Sequence, residues 1–300
     1  MHDQRLKDIA PFVASIECGS FAAAAERLHI TGSAVSKSVT RLETRLGSRL
    51  LERTTRSLKL TDAGNAYYQT CIRILEELAE AEAVLAAQRS IPSGKLRLAV
   101  PNTYGRLAVM PLLMPFCQQH PELELSLRFS DRMVDLFDEG IDVAVRIGDT
   151  PNISASLGCR QMGRECMVFC AAPDYLARAG RPHHISDLLQ HPAILYERVD
   201  GSTKPWLLQT EDGHLQWRSV PHRMALGDVD AQVQAVCAGL GIAQMPSWLI
   251  REPLARGELE ILLPSHQPDG LMLTLVWPRR KQLLPKVDAL LDALSQLPIR

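Results

Sequence analysis

Residues 20–64 read SFAAAAERLHITGSAVSKSVTRLETRLGSRLLERTTRSLKLTDAG, and this stretch decides the architecture of the N-terminal part of the chain. Ser20 stands at an N-cap position ahead of the alanine-rich FAAAAERL, where Phe21, Ala24, Ala25 and Leu28 share one face of a short helix of high propensity. Thr31 caps a second run, in which Val35, Val39, Leu42 and Leu46 recur at helical spacing until Gly47 ends it. The other face of that run carries Ser33, Ser36, Lys37, Thr40 and Arg41. Two helices joined by a tight turn, the second apolar on one side and short, polar and basic on the other, predict a helix-turn-helix whose second helix enters a DNA major groove.

Working outward, Leu6, Ile9, Val13 and Ile16 predict a preceding helix that stops at Cys18-Gly19. Downstream, RLLERTTRSLKLT reads as two short strands, 49–51 and 58–60, around a turn that presents Arg53, Thr54, Thr55 and Arg56 as a wing. A plain three-helix bundle with a solvated basic face is the competing architecture. Charge favours the wing. The net charge of −1 conceals a front loaded with cations: residues 1–60 hold ten Lys/Arg against six Asp/Glu, and residues 27–60 hold eight against two. Such a footprint suits a phosphate backbone.

Between residues 62 and 89 there is no proline and one glycine, and Tyr67, Cys71, Ile74, Leu78, Ala81, Leu85 and Gln88 alternate by four and three. This heptad seam, with Glu76, Glu77, Glu80 and Glu82 outside it, predicts a long linker helix that pairs with a second copy. A core helix of the following domain is the alternative. Ile91-Pro92-Ser93-Gly94 then breaks every periodicity, as a hinge does. Beyond it, strands at 96–100 and 123–129, a helix from about 104 to 119, a short helix, and the strand IDVAVRIG give a β-α-β-α-β series. MVFCAA from Met167, a helix after Asp228, the strand GIAQMP, MLTLVWP and a last helix from Pro285 complete an α/β unit of two halves.

The strand LRLAVP delivers Asn102 and Thr103 to the start of the next helix, where backbone N–H groups and a hydroxyl favour an anion. Catalytic patterns such as GxSxG, HExxH and GxGxxG are absent, and adjacent His183-His184 make a poor metal pair, so no enzyme, metal or cofactor is expected. Seven cysteines, with Cys159, Cys166 and Cys170 closest, fit neither a disulfide framework nor a CxxC zinc site; reduced thiols are expected, and a redox switch between two of those three stays open. MHDQRLKDIA lacks the apolar stretch of a secretion signal and no run of about 18 apolar residues spans a bilayer, which predicts a cytoplasmic protein with no membrane partner and counts against an exported solute-binding protein.

Residues 20–64 closely resemble the DNA-binding domain of LysR-type transcriptional regulators. The likeness extends through NAYYQTCIRIL, similar to the family's dimerisation helix, and through PELELSLRFSDRMVDLFDEGIDVAVRIGD and CAGLGIAQMPSWLI, similar to its effector-binding domain. The resemblance implies a multidomain regulator: an all-α winged helix-turn-helix over residues 1–60, a linker helix over 61–90, and a two-lobed α/β effector domain of periplasmic-binding-protein type 2 over 91–300. Lobe I would hold about 91–165 and 269–300, and lobe II about 166–268. It further implies promoter DNA, a small-molecule effector, a homodimer or homotetramer, and RNA polymerase as a candidate partner. At the start of the recognition helix the family usually carries Gln after the cap; here Gly32 follows Thr31, so base reading shifts to Ser33, Ser36 and Lys37, while Arg41 and Ser20 hold phosphate. Arg53 and Arg56 match the family's wing arginines. Effector positions implied beside Asn102 and Thr103 are Ser130, Arg146, Ser202, Thr203 and Asp228, and a small carboxylate or similar anion is the expected effector.

Overall fold

In the computed structural model, which describes residues 3–53, 58–86, 91–148, 154–209, 212 and 214–299, the chain divides into two units, Met1–Arg89 and Ser90–Arg300. The first unit opens with α1 (Asp3–Glu17), α2 (Phe21–Leu28) and α3 (Gly32–Leu46). Both predicted caps form: the Ser20 hydroxyl accepts from the Ala23 amide at 3.1 Å and the Thr31 hydroxyl from the Ala34 amide at 3.2 Å. Gly47, at φ 65°, closes α3. Ala24 and Ala25 are buried against Ala14 and Val35, and these small side chains let the three helices approach closely. Val39 and Leu42 pack with Ile9, Phe12 and Val13; each such burial contributes about 1.5–3 kcal/mol. Leu46, expected inside, is 39% exposed, because α3 runs past the edge of this core before Gly47.

The hairpin follows as β1 (Leu51–Arg53) and β2 (Leu58–Leu60), antiparallel with Leu51 opposite Leu60. The first strand starts two residues later than expected, since the Glu43 carboxylate accepts from the Leu50 and Leu51 amides at 2.9 and 3.1 Å and pins that turn to α3. Then α4 (Asp62–Ala86) begins where the Thr61 hydroxyl accepts from the Gly64 amide. A Cβ at position 64 would lie 1.9 Å from the Leu50 carbonyl oxygen, so only glycine fits. The seam read in α4 splits: Cys71 is buried and Tyr67 half-buried against the core of the chain's own helix-turn-helix, with the Tyr67 and Phe12 rings 5.9 Å apart. Ile74 and Leu78, at 39% and 44%, remain exposed.

In the second unit β3 (Gly94–Val100) leads through α5 (Asn102–Tyr104), a π-helical turn (Gly105–Val109) and α6 (Met110–Gln119) to β4 (Leu123–Phe129) and β5 (Val143–Ile147). The expected short helix before β5 is cut to a turn: Asp135 caps it, its carboxylate accepting from the Phe137 and Asp138 amides at 2.8 and 3.0 Å, and one helical bond forms, Glu139 amide to Asp135 carbonyl at 3.1 Å, before Gly140 at φ 64° ends it. The strand expected from Met167 is longer; β6 spans Leu157–Ala171. After it come α7 (Pro173–Ala179), α8 (Ile185–Leu188), β7 (Ala193–Tyr196), β8 (Trp206–Gln209), β9 (Leu215–Arg218), β10 (His222–Leu226) and α9 (Val229–Cys237). The unit ends with β11 (Ala243–Pro246), α10 (Arg251–Ala255), β12 (Glu260–Leu262), β13 (Asp269–Pro278) and α11 (Pro285–Leu294).

Seven strands form one sheet in the order β11-β6-β13-β5-β3-β4, with β12 also on β6. Strands β3, β4 and β5 run parallel, while β13 lies antiparallel between β5 and β6. The first part of β6 pairs with β13 and its last residues pair with β11 and β12, so this strand passes from one half of the unit to the other. A parallel pair, β10–β7, and an antiparallel hairpin, β8–β9, complete the strands.

Candidate functional site

On the first unit the exposed face of α3 carries Ser33 and Lys37, four residues and so about one turn apart, with Ser36 half-buried between them. Lys37 makes no hydrogen bond or ion pair with any described residue, which leaves its ammonium for an external anion. Thr31 and Ser33 share a hydroxyl contact of 3.1 Å at the helix start. Around Gly32 no atom lies within 4 Å of where a Cβ would stand. Arg41 behaves differently from the phosphate clamp expected of it: its guanidinium donates to the buried Asp8 carboxylate at 2.8 Å and to the Ser38 hydroxyl at 2.9 Å, tying α3 to α1. Arg53 ends β1, whereas Thr54 and Arg56 lie outside the described residues.

The second unit holds a cavity of about 520 Å³ lined by residues from positions 99 to 271. Asn102, Thr103, Ser130, Arg146 and Asp228 line it; Ser202 and Thr203 do not. The Ser202 hydroxyl instead donates to Asp200 at 2.6 Å and accepts from Arg198, and Thr203 bridges to Glu197. That turn is polar for local reasons.

The helix start at Asn102 does not offer the open anion seat read from the sequence. Asp131 fills it: its two oxygens accept from the Asn102 amide at 2.9 Å and from Asn102 Nδ2 at 2.6 Å. Thr103 donates to Asp230 at 3.1 Å, and Asp230 also pairs with Arg106. Ser130 accepts from the Arg132 amide, and Asp228 caps α9 by accepting from the Ala231 amide at 2.8 Å. Arg146 donates to the Val134 carbonyl; burial lowers its pKa, and Asp135 partly offsets that.

The cavity is also lined by residues that the sequence did not single out: Glu165, Lys204, Trp206, Trp248 and Tyr104. Glu165 is buried, accepts from Trp248 Nε1 at 2.9 Å and from the Leu271 amide at 3.3 Å, and has its pKa raised by burial. Burial lowers the pKa of Lys204, and the Glu165 carboxylate works against that shift. No local pattern marks Lys204 or Glu165. The one available hint was a lysine inside an otherwise apolar KPWLL strand start.

All seven cysteines are free thiols. Cys159, Cys166 and Cys170 all sit on β6, and four residues along a strand span about 13 Å, so no two of the three can meet in this fold. Burial pushes the Cys170 thiol up to about 12 and also raises Cys237. His183 and His184 both donate their amides to Asp187, and among the described residues no cluster of three or more His, Cys, Asp or Glu could hold a metal ion. No helix among them is long and apolar enough to cross a membrane.

Comparison with known proteins matches residues 6–65 to the family described as "Bacterial regulatory helix-turn-helix protein, lysR family" and residues 89–298 to "LysR substrate binding domain". The chain is 36% identical to the "Probable HTH-type transcriptional regulator LtrA" of Klebsiella pneumoniae, over 97% of this chain and 94% of that protein. It is 35% identical to the "HTH-type transcriptional activator AaeR" of Escherichia coli strain K12, over 97% and 93%. Among solved structures, CrgA of Neisseria meningitidis, a LysR-type transcriptional regulator, aligns with a TM-score of 0.60 and 30% identity, covering 97% of each chain.

Proposed function

Because the chain belongs to the LysR family of bacterial transcriptional regulators, which bind DNA and small-molecule effectors and oligomerise and are not enzymes, we propose how its own residues divide that work. Helix α3 lies in the major groove, with Ser33, Ser36 and Lys37 at base edges or nearby phosphates and Thr31, Gly32 and Ser20 at the backbone approach. Arg53, Thr54 and Arg56 of the wing lie along the flanking groove. Arg41 acts chiefly by fixing α3 on α1. The single observation that carries this reading is the unpaired, exposed Lys37 on the outer face of a doubly capped helix.

Residues 1–60 act as the DNA-binding domain and 61–90 as the linker, whose exposed Ile74 and Leu78 suit pairing with a second copy; two such dimers would make a tetramer. Residues 91–300 take the effector in the cavity, between lobes of about 91–165 with 269–300 and about 166–268. Effector binding then shifts the halves joined by β6 and β13, and the Ile91–Gly94 hinge passes that change to the DNA-binding units, altering spacing on the promoter and access of RNA polymerase. The chain itself catalyses no reaction in this scheme.

A gel-shift titration on the promoter upstream of the protein's own gene tests it. Binding at low salt is expected, weakening linearly in log–log form as salt rises, with a shallower slope for Lys37→Ala. No retarded complex at low salt, or an unchanged slope in the variant, would sink the assignment.

A further inference from the structure

Resting on the reading that the cavity of the second unit takes the effector, we propose that Lys204 is a carbonyl-capturing amine: it forms a reversible imine with a small aldehyde, and Glu165, which lines the same cavity, supplies the proton that lets water leave. Lys204 stands apart from the chain's six other lysines. Lys7, Lys37, Lys59 and Lys95 are exposed, Lys281 is spent on the buried Asp142 at 2.6 Å, and Lys286 donates to the Lys95 carbonyl at 2.8 Å. Lys204 is half-buried and lines the cavity, and its ammonium makes no hydrogen bond or ion pair with any described residue. Its main chain is fixed: the Lys204 amide donates to the Tyr196 carbonyl at 2.7 Å and Pro205 follows, so the side chain starts from a set point.

An amine attacks a carbonyl only when it is neutral, and this setting favours the neutral form: burial disfavours the ammonium, Glu165 opposes that, and the guanidinium of Arg198, another lining residue, adds to it. Glu165 is buried too, with Trp248 Nε1 and the Leu271 amide each holding one of its oxygens, and burial favours its protonated form. Lys204 and Glu165 sense each other's charge without closing to an ion pair, which leaves room for a carbonyl group between them. The neutral amine bonds to the carbonyl carbon, the carbonyl π pair moves to oxygen, and the amine proton follows it to give a carbinolamine. The nitrogen lone pair then forms the C=N bond as the hydroxyl departs, taking the Glu165 proton to leave as water. The products are a protonated imine, a Glu165 carboxylate and one water, so the new cation is paired by the new anion. No oxidant or cofactor enters, and addition of water reverses the sequence.

The rest of the lining suits an uncharged carbonyl compound. The helix start at Asn102, where a free anion would sit, is filled by the chain's own Asp131. Tyr104, Met167, Leu195, Trp248 and Leu271 give the cavity apolar surface, which keeps bulk water, the agent of hydrolysis, away from an imine. Tyr104 and Trp248 stack edge to face at 4.9 Å, so part of that surface is rigid. A volume of about 520 Å³ admits a short alkyl chain or a single ring on the aldehyde carbon. Ketones, more crowded and less electrophilic at the carbonyl carbon, should react more slowly.

Reductive trapping of the full-length protein with hexanal or benzaldehyde and sodium cyanoborohydride near neutral pH, followed by intact mass and peptide mapping, tests this. One adduct per chain should form at Lys204 roughly tenfold or more faster than at the exposed Lys7, Lys37, Lys59 and Lys95. Lys204→Met and Lys204→Arg should both lose that fast adduct while the exposed lysines label as before; the arginine keeps the positive charge and guards against a folding artefact. Glu165→Gln should slow trapping at Lys204 severalfold, even though the amine is then less often protonated, and a faster reaction in that variant would end the role of Glu165 as proton donor. The proposal is overturned if Lys204 is not labelled, if it labels no faster than the exposed lysines, or if the fast adduct persists in either Lys204 variant. Gel shifts on the same samples, with each aldehyde alone, separate the two levels of the argument: an imine that forms at Lys204 yet leaves the promoter complex unchanged refutes the effector reading while the capture site stands.

Discussion

The outer face of α3 and the cavity of the second unit are both binding surfaces, but they are built in opposite ways. Every candidate contact on α3 comes from one segment of 15 residues, held by its own caps and by a core of neighbouring helices. The cavity draws side chains from positions 99 to 271, carried by β3, β5, β6, β13 and the loops between β7 and β8. Helical periodicity therefore displays the first surface directly, whereas the second exists only once the sheet order is known. The ion pairs follow the same division. Arg41 reaches Asp8 across 33 positions with its own side chain 61% exposed, while Lys281 reaches Asp142 across 139 positions with side chains 9% and 0% exposed.

That contrast breaks most forcefully at Lys281. Asp142 is fully buried and also accepts from the Arg97 amide at 2.7 Å, so removing its cation leaves a charge with no solvent to stabilise it. Lys281→Met is expected to destabilise the second unit by about 3–5 kcal/mol, read as an earlier transition in chemical denaturation. Arg41→Met should cost the first unit less, about 1–3 kcal/mol, because the Asp8 carboxylate it leaves behind is buried while the guanidinium side of the pair is open to water. Promoter binding by Lys281→Met at temperatures below its transition should stay within about twofold of the parent. Equal losses from the two substitutions would end the distinction between the units.

Next in size is Lys37→Ala, expected to weaken promoter binding by roughly ten- to a hundredfold at low salt while leaving the denaturation midpoint nearly unmoved, since the exposed side chain makes no hydrogen bond or ion pair with a described residue. Ser33→Ala should fall well below it.

How much of this was legible follows from the same local-versus-distant split. Ser20, Thr31 and Gly47 marked their helix ends because caps act within four residues. Arg41 was read as a phosphate contact without its tie to Asp8, because that partner sits on another helix and outward spacing alone cannot reveal a buried acid there. Asn102 and Thr103 were correctly carried to the cavity by strand and helix order, yet the anion seat was already filled by Asp131, 29 positions away. Ser202 and Thr203 were read as pocket residues when the next residue, Lys204, is the one that lines it, a slip of register that only the bridge between Glu197 and Thr203 resolves.

A milder change, Gly32→Gln, sharpens the reading of α3. Nothing stands within 4 Å of a Cβ there and the residue lies in the first helical turn, so a side chain enters at no steric cost. Helix propensity favours it by up to about 1 kcal/mol. The added amide should raise promoter affinity by a few fold and change which bases are preferred near the helix start, measured by competition with single-base promoter variants. An affinity that falls would mean that α3 approaches DNA too closely at this point for any side chain.

The smallest expected effect is a slope. Burial raises the Glu165 pKa in the folded chain above its unfolded value, with Trp248 and Lys204 opposing the shift. As pH rises from about 4.5, the unfolded chain releases this proton first, so the folded state holds more protons and stability falls until the folded pKa is passed. Glu165→Gln keeps an acceptor for Trp248 Nε1 and removes the titration, so the second unit of the variant should lose less stability than the parent over that interval. Lys204 then lacks the carboxylate that opposes its own downward shift, and its pKa should drop further. Denaturation midpoints measured from about pH 4.5 to 8 on both proteins decide it, because the titrating groups other than Lys204 cancel in the difference. Parallel curves would show that Glu165 is already neutral or fully compensated, and the charge assignment inside the cavity would have to be redrawn around Arg146 and Lys204 alone.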